Sequence, residues 1–186
     1  MTLKTTLAAL FALAAAPAFA ASHATPNPMV GGAEMFADKN IVENAMNSAD
    51  HTTLVAAVKA AGLVETLMGE GPFTVFAPVN MAFDALPAGT VDTLLMEENK
   101  DQLTKILTCH VVAADAMAMA IKGMIDDDGG KHPVPTVGGC TLQATYDGDM
   151  IFIEDEQGNT ATVTIADVNQ SNGVIHVIDK VLLPAM

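Results

Sequence analysis

The spacing of apolar residues changes once along the chain. Up to about residue 112 it is mostly helical, and from Val134 onward it becomes a period of two. In the first part, Met35, Phe36, Ile41, Val42, Ala45 and Met46 predict a short helix over 35–49 with an irregular start. Ser48 or Asp50 can cap the next helix, which buries Leu54, Val55, Val58 and Ala61 and ends at Gly62. Leu63, Val64, Leu67 and Met68 predict one more helical turn. Gly71–Pro78, aromatic and β-branched between two prolines, predicts a strand. Asn80 is placed to cap a helix bearing Met81, Phe83 and Leu86, and Thr90 one bearing Val91, Leu94 and Leu95. A further helix runs from about Glu97, with Leu103, Ile106 and Leu107 inward. Cys109–Val112 predicts a strand, Asp115 a cap for a helix from Met117 to Gly123, and Asp126–Gly130 a loop.

Beyond Val134, strands are predicted over Thr141–Thr145, Met150–Glu154 and Thr160–Ile165, with Asp147-Gly148 and Gly158-Asn159 as turns. Asn172-Gly173 then marks a tight turn into an apolar strand that begins at Val174 and that Pro184 stops. There Val174, His176 and Ile178 share one face and Ile175 and Val177 the other, so both faces are apolar and the strand is expected to be central and covered on both sides. Helices crowd the first two-thirds and strands the last third. That segregation indicates an α+β domain and argues against a βαβ repeat.

The N-terminus stands outside this pattern. Lys4, the uncharged run Leu7–Ala16 and the small-x-small Ala18-Phe19-Ala20 have the anatomy of a cleaved secretory signal over residues 1–20, too short for a membrane span. Residues 21–33, with two prolines and two glycines, are expected to form a flexible leader, and order to begin near Glu34. The mature protein is then secreted or periplasmic, with cleavage near Ala20 and no membrane span. Without Lys4 it carries seven lysines against 22 acidic residues, a net charge of −15. Such a balance argues against nucleic acid and anionic membrane surfaces as partners, since both require basic patches. The two cysteines, Cys109 and Cys140, are expected to pair in an exported chain.

Three separated segments carry a resemblance. Thr74-Val75-Phe76-Ala77-Pro78 with Asn80 and Phe83 resembles the first signature of the fasciclin (FAS1) family, and Asn172-Gly173-Val174-Ile175-His176-Val177-Ile178-Asp179 resembles the second. Between them, Leu103–Val112 resembles the family's central Tyr-His segment, with Cys109 where tyrosine is usual and His110 after it. The resemblance spans residues 34–184. It implies a FAS1 fold: a wedge-shaped, seven-stranded β-sandwich or barrel with several short helices packed on one side. It also implies a non-enzymatic role in cell adhesion or surface interaction. The implied partner is a cell-surface or extracellular protein or polysaccharide, with self-association as a further outcome. The motif residues Thr74, Val75, Phe76, Ala77, Pro78, Asn80, His110, Asn172, Gly173, His176 and Asp179 become the candidate interaction set.

Other chemistry is weaker. No nucleophile-elbow or phosphate-loop motif occurs. His110 and His176, both in predicted apolar strands, read as hydrogen-bonded core histidines, because buried imidazoles need partners. His176 is expected to find its partner near the first motif. A hydrolase would need a serine beside one of these two. Met117, Met119 and Met124 with His110 could in principle hold copper, which makes a periplasmic metal or small-ligand binder the alternative class. No tight ligand spacing supports it, and no metal or other cofactor is expected.

Overall fold

In a computed structural model the structure is described for residues 27–185. The expected signal sequence over residues 1–20 and residues 21–26 of the expected leader lie outside them. Packing begins before Glu34. Strands β1 (Met29–Val30) and β2 (Ala33–Glu34) pair across Gly31-Gly32, both at positive φ, and Val30 is buried. Two glycines that read as flexible by composition are the two central residues of a tight hairpin turn, where φ must be positive.

The helices follow as α1 (Ile41–Asn47), α2 (Thr52–Ala61), α3 (Val64–Met68), α4 (Asn80–Asp84), α5 (Thr90–Leu94) and α6 (Lys100–Thr108), with β3 (Phe73–Pro78) between α3 and α4. Helix α1 starts later than the apolar pattern suggested, at a capping box made by Asn40 and Glu43. Gly62, at φ 74°, ends α2 as expected. Thr90 is the first residue of α5 and Gly89 holds the cap position.

Cys109 and His110 do not belong to a strand. They close the C-terminal turn of α6, with Cys109 N–H bonded to Lys105 O and His110 N–H to Leu107 O. Only Val111–Val112, where β3 offers pairing, forms β4. Helix α7 spans Ala118–Asp127, so it runs past Gly123 and takes in the first two residues of the segment read as a loop. Ile121 and Ile125, one turn apart and fully buried, carry its face past Gly123. Asp115 does not cap it.

The remaining strands are β5 (His132–Pro135), β6 (Thr141–Asp147), β7 (Met150–Glu154), β8 (Thr160–Gln170) and β9 (Gly173–Ile178). Strand β5 was not among the expected elements; its two prolines are tolerated because it is an edge. Seven strands form one mixed sheet in the order β4-β3-β9-β8-β7-β6-β5, in which only β3 and β9 are parallel. The two ends nearly meet: Val137 N–H, in the turn after β5, donates to Val111 O of β4 at 2.8 Å. The Cys109–Cys140 disulfide ties the same ends, with Cα atoms 5.5 Å apart. It joins the end of α6 to the residue before β6, where two strands had been expected. Closing a loop with a sequence separation of 31, it stabilises by about 3–4 kcal/mol on the chain-entropy model.

Alternation on β3 and β9 splits the interior in two. Val75, Ala77, Ile175 and Val177 face the core beneath α1, α2 and α6. Phe76 and Ile178 face the inner core, which β6, β7, β8 and α7 complete. Strand β9 is thus central and covered on both faces.

Candidate functional site

The two signature motifs lie side by side. Strands β3 and β9 pair residue for residue, from Phe73 opposite Gly173 to Pro78 opposite Ile178. A Cβ at position 173 would run into the Phe73 carbonyl, so the start of this pair requires glycine. Val75, Phe76, Ala77 and Pro78 are buried, as are Thr74, His110 and His176. As contact residues this set is corrected: a partner cannot reach these side chains in the folded domain. Their alternate apolar positions fill the two cores.

The polar motif residues have a different task. Thr74 Oγ1 donates to Ala114 O at 2.6 Å and accepts from Ala116 N–H at 2.9 Å. His176 stacks on Phe76 of the first motif, centroids 5.8 Å apart, as its expected location implies. Its hydrogen bonds go elsewhere: Nε2 lies 2.8 Å from Ala116 O, and Nδ1 accepts from Asp167 N–H at 3.3 Å. The Nδ1 acceptor makes Nε2 the protonated nitrogen of a neutral ring. Burial lowers its pKa and so favours that form. Asp167, at φ 57° in a register irregularity of β8, accepts from Ala118 N–H at 2.7 Å and so caps α7. Both motif strands therefore clamp the segment 113–118.

Asn172 works in the same way on two other segments. Its Oδ1 accepts from Ile41 N–H at 3.0 Å, and its Nδ2 donates to Leu67 O at 2.8 Å and Gly69 O at 3.0 Å. One side chain holds the start of α1 and the end of α3. Asn80 does not cap its own helix, where Val79 has the cap position and makes no side-chain bond. Its Oδ1 instead accepts from Thr53 N–H at 3.0 Å, so it caps α2, the helix that Ser48 or Asp50 was expected to cap. Asp179 Oδ1 accepts from Thr162 N–H at 2.6 Å and sets the pairing of β9 with β8. His110 Nε2 accepts from Leu182 N–H at 2.9 Å and its Nδ1 faces Ile106 O at 2.8 Å, tying the C-terminal segment to α6. Burial lowers its pKa to about 4.

The bonds of Thr74, His176 and Asn172 converge on one exposed feature. Where β3 and β9 begin, a groove of about 620 Å³ opens, bordered by Asn40, Met68, Glu70, Asp115, Asn169 and Ser171. Glu70, Asp115, Asn169 and Ser171 are exposed. The segment carrying Asp115 is held by Thr74 and His176, the one carrying Glu70 by Asn172, and Ser171 N–H is bonded to Lys39 O at 2.9 Å. Two carboxylates and no lysine line it, so its field is negative. A second, apolar cavity of about 40 Å³ lies under α1, α2 and α3. Its walls are almost wholly apolar, and at this volume it is a packing gap in the outer core.

Comparison with known proteins places this arrangement. The model of the Fasciclin domain matches residues 49–184. The chain belongs to the fasciclin family. It is 51% identical to "Protein sll1483" of Synechocystis sp. over 146 residues, covering 78% of this chain and 74% of that one. It is 36% identical to Immunogenic protein MPB70 of Mycobacterium bovis, covering 75% and 66%. It is 35% identical to Transforming growth factor-beta-induced protein ig-h3 of Sus scrofa, covering 71% of this chain and 17% of that much longer one. Among solved structures, a FAS1 domain pair from the insect cell adhesion molecule Fasciclin I superposes with a TM-score of 0.69 at 18% identity, over 78% of this chain and 51% of that chain. That likeness shows the FAS1 fold.

Within this fasciclin domain, three buried or half-buried anchors had no sequence motif to announce them. Asn44 is fully buried, bonded to Gln170 and to both backbone groups of Phe36. Asp155 accepts from Gln157 and Asn159 N–H within its own turn and from Leu183 N–H, which fastens the C-terminal segment. Its position ahead of Gly158 was a usable turn signal. Asp167 had none, because a positive φ at a non-glycine residue is a product of tertiary context. The ring nitrogens of His110 and His176 are engaged with backbone groups and face no serine. Ser48 does meet a histidine, His51, at 2.8 Å, but both are buried. Among the described residues, no three of His, Cys, Asp and Glu converge as metal ligands, and no helix is long and apolar enough to cross a membrane.

Proposed function

We propose that this fasciclin domain is a secreted or periplasmic, non-enzymatic module of the adhesion type, which meets its partner at the groove where β3 and β9 begin. One observation carries the reading. Thr74, His176 and Asn172, polar side chains from both signature motifs, are spent inside the fold on holding segments that border an exposed groove. A catalytic role would leave reactive groups facing a cleft, whereas a docking role asks for well-held loops with free polar tips. The names of relatives point the same way: the insect protein is a cell adhesion molecule, and a Mycobacterium bovis relative 32% identical to this chain is a cell surface glycolipoprotein. The signal-like residues 1–20 supply the route of export. The partner is a cell-surface or extracellular protein or polysaccharide, or a second copy of the chain.

The test is retention of the mature protein on intact cells and isolated matrix across a salt series. Repulsion from anionic surfaces relaxes as salt screens a net charge of −15, so retention there should rise with salt. Combined E70A, D115A, N169A and S171A substitutions should reduce retention about tenfold at unchanged melting temperature, a hot-spot loss of ordinary size. Unchanged retention moves the contact away from the groove. Absence of binding to either material at any salt ends the adhesion reading.

A further inference from the structure

Methionine is distributed unusually over this surface. Among the described residues, eight large apolar side chains are exposed, and seven of them are methionine: Met29, Met46, Met68, Met81, Met96, Met119 and Met150; Val137 is the eighth. No described leucine, isoleucine or phenylalanine is exposed. Met35 alone among the described methionines is fully buried, at 2% exposure. Leucine, isoleucine and phenylalanine stay inside, and the large apolar side chains left on the surface are methionines but for Val137, the reverse of methionine's usual role as an interior gap-filler.

A docking patch would gather these side chains in one place. They lie instead on β1, α1, α3, α4, the segment after α5, α7 and β7. Helices α1, α3 and α4 cover the outer core, whereas α7 and β7 enclose the inner one on the other side of the sheet. One partner cannot cover both. What the seven share is chemistry: each is an exposed thioether side chain, at residue exposures from 47% to 82%. Beyond its methionines, of which Met117 and Met124 are half-buried, the chain offers oxidants little, with no tryptophan, one tyrosine, and both cysteines already joined.

We propose that these seven methionines form a dispersed oxygen-acceptor set, a modification site for peroxide-class oxidants that takes up oxidant without loss of the fold. The sulfur lone pair attacks a peroxide oxygen and forms the S–O bond of the sulfoxide. The O–O bond breaks, and the departing hydroxide leaves as water after proton transfer. Sulfur gives up two electrons and the peroxide is reduced by two. A sulfoxide is polar, and at an exposed position it displaces no packed neighbour; at Met35 it would enter the core. Thiol-dependent methionine sulfoxide reductases are the enzyme class that returns the thioether and makes the set reusable. Six of the seven lie outside the groove and only Met68 borders it, so the proposal does not rest on what the groove binds.

The experiment treats the folded mature protein with hydrogen peroxide and follows each methionine by peptide mass spectrometry. Oxidation is expected at the seven exposed positions while Met35 stays a thioether, with a melting temperature changed by less than about 3 °C. Treatment with both sulfoxide reductase types, one for each epimer, should restore the starting mass. A sevenfold Met→Gln variant should protect a co-incubated, peroxide-sensitive reporter enzyme about fivefold less than the parent. Should that variant not fold, the combination M81Q, M96Q, M119Q and M150Q should lose about half of the protection. The proposal is overturned if Met35 reacts as fast as the exposed set, if oxidation unfolds the protein, or if the glutamine variants protect as well as the parent.

Discussion

The helical two-thirds and the β-ribbon of this molecule are held together by opposite means. In the helical part, capping side chains come from far along the chain. Asn172 reaches Ile41 across 131 positions, Asp167 reaches Ala118 across 49, and Asn80 reaches Thr53 across 27. Helix α1 has a local capping box as well, but α2 and α7 have no side-chain bond from their own cap residues. In the ribbon β5–β8, neighbouring strands follow one another through short turns. Asp147 pairs with Met150 across a two-residue loop, and Asp155 organises the next turn by bonding residues two and four positions on. The ribbon is locally encoded. The helices depend on the sheet being in place, since isolated helices of five to ten residues are not stable in water.

The largest test of this contrast is Asn172→Ala. It removes three hydrogen bonds and orphans one amide and two carbonyls at two helix ends. A loss of about 3–4 kcal/mol is expected. In hydrogen exchange, α1 and α3 should lose protection together while β6 and β7 keep theirs. A loss below about 1 kcal/mol would mean that these long-range caps do not govern the helices.

A second test uses pH. His110 is buried neutral, with its pKa lowered to about 4 from the ordinary 6.5, chiefly by loss of hydration. The unfolded chain therefore takes up a proton at a higher pH than the folded one. Stability is complete above about pH 6.5 and falls as pH drops toward 4, by roughly 3 kcal/mol for this residue at the lower end of that window. His51 and His176 are shifted in the same direction and add to the loss. Urea titrations at pH 7 and pH 4.5 give the comparison. Because His110 fastens Leu182, the C-terminal segment should open first, whereas the ribbon, whose described histidine is the partly exposed His132, should respond last. Equal stability at the two pH values would contradict the assignment of neutral buried rings.

The smallest effect is expected at a local turn. Gly148, at φ 58°, links β6 to β7, and a Cβ there would meet nothing within 4 Å. Gly148→Ala should cost only the backbone strain, about 1 kcal/mol, with changed exchange confined to β6 and β7. If this substitution cost as much as Asn172→Ala, the distinction between locally and remotely held regions would fail.

Features that depend on near neighbours along the chain were legible without the fold. Periodicity marked the helical and strand-rich parts, and Val174–Ile178, apolar on both faces, was readable as the central strand. The motifs around Thr74–Pro78 and Asn172–Asp179 named the family, because runs of consecutive residues carried them. The Gly31-Gly32 hairpin and the extension of α7 to Asp127 were missed, since composition describes both stretches as loose and only packing of Val30 and Ile125 selects the ordered form. The candidate site was legible as a set of residues and misread as a surface. Tertiary structure alone decided that Thr74, His110 and His176 face inward, that Asn80 caps a different helix from its own, and that Asp167 adopts a left-handed conformation at the start of α7. An asparagine or histidine has the same donors and acceptors wherever it stands. Which amide or carbonyl it satisfies is set by the elements the folded sheet brings against it.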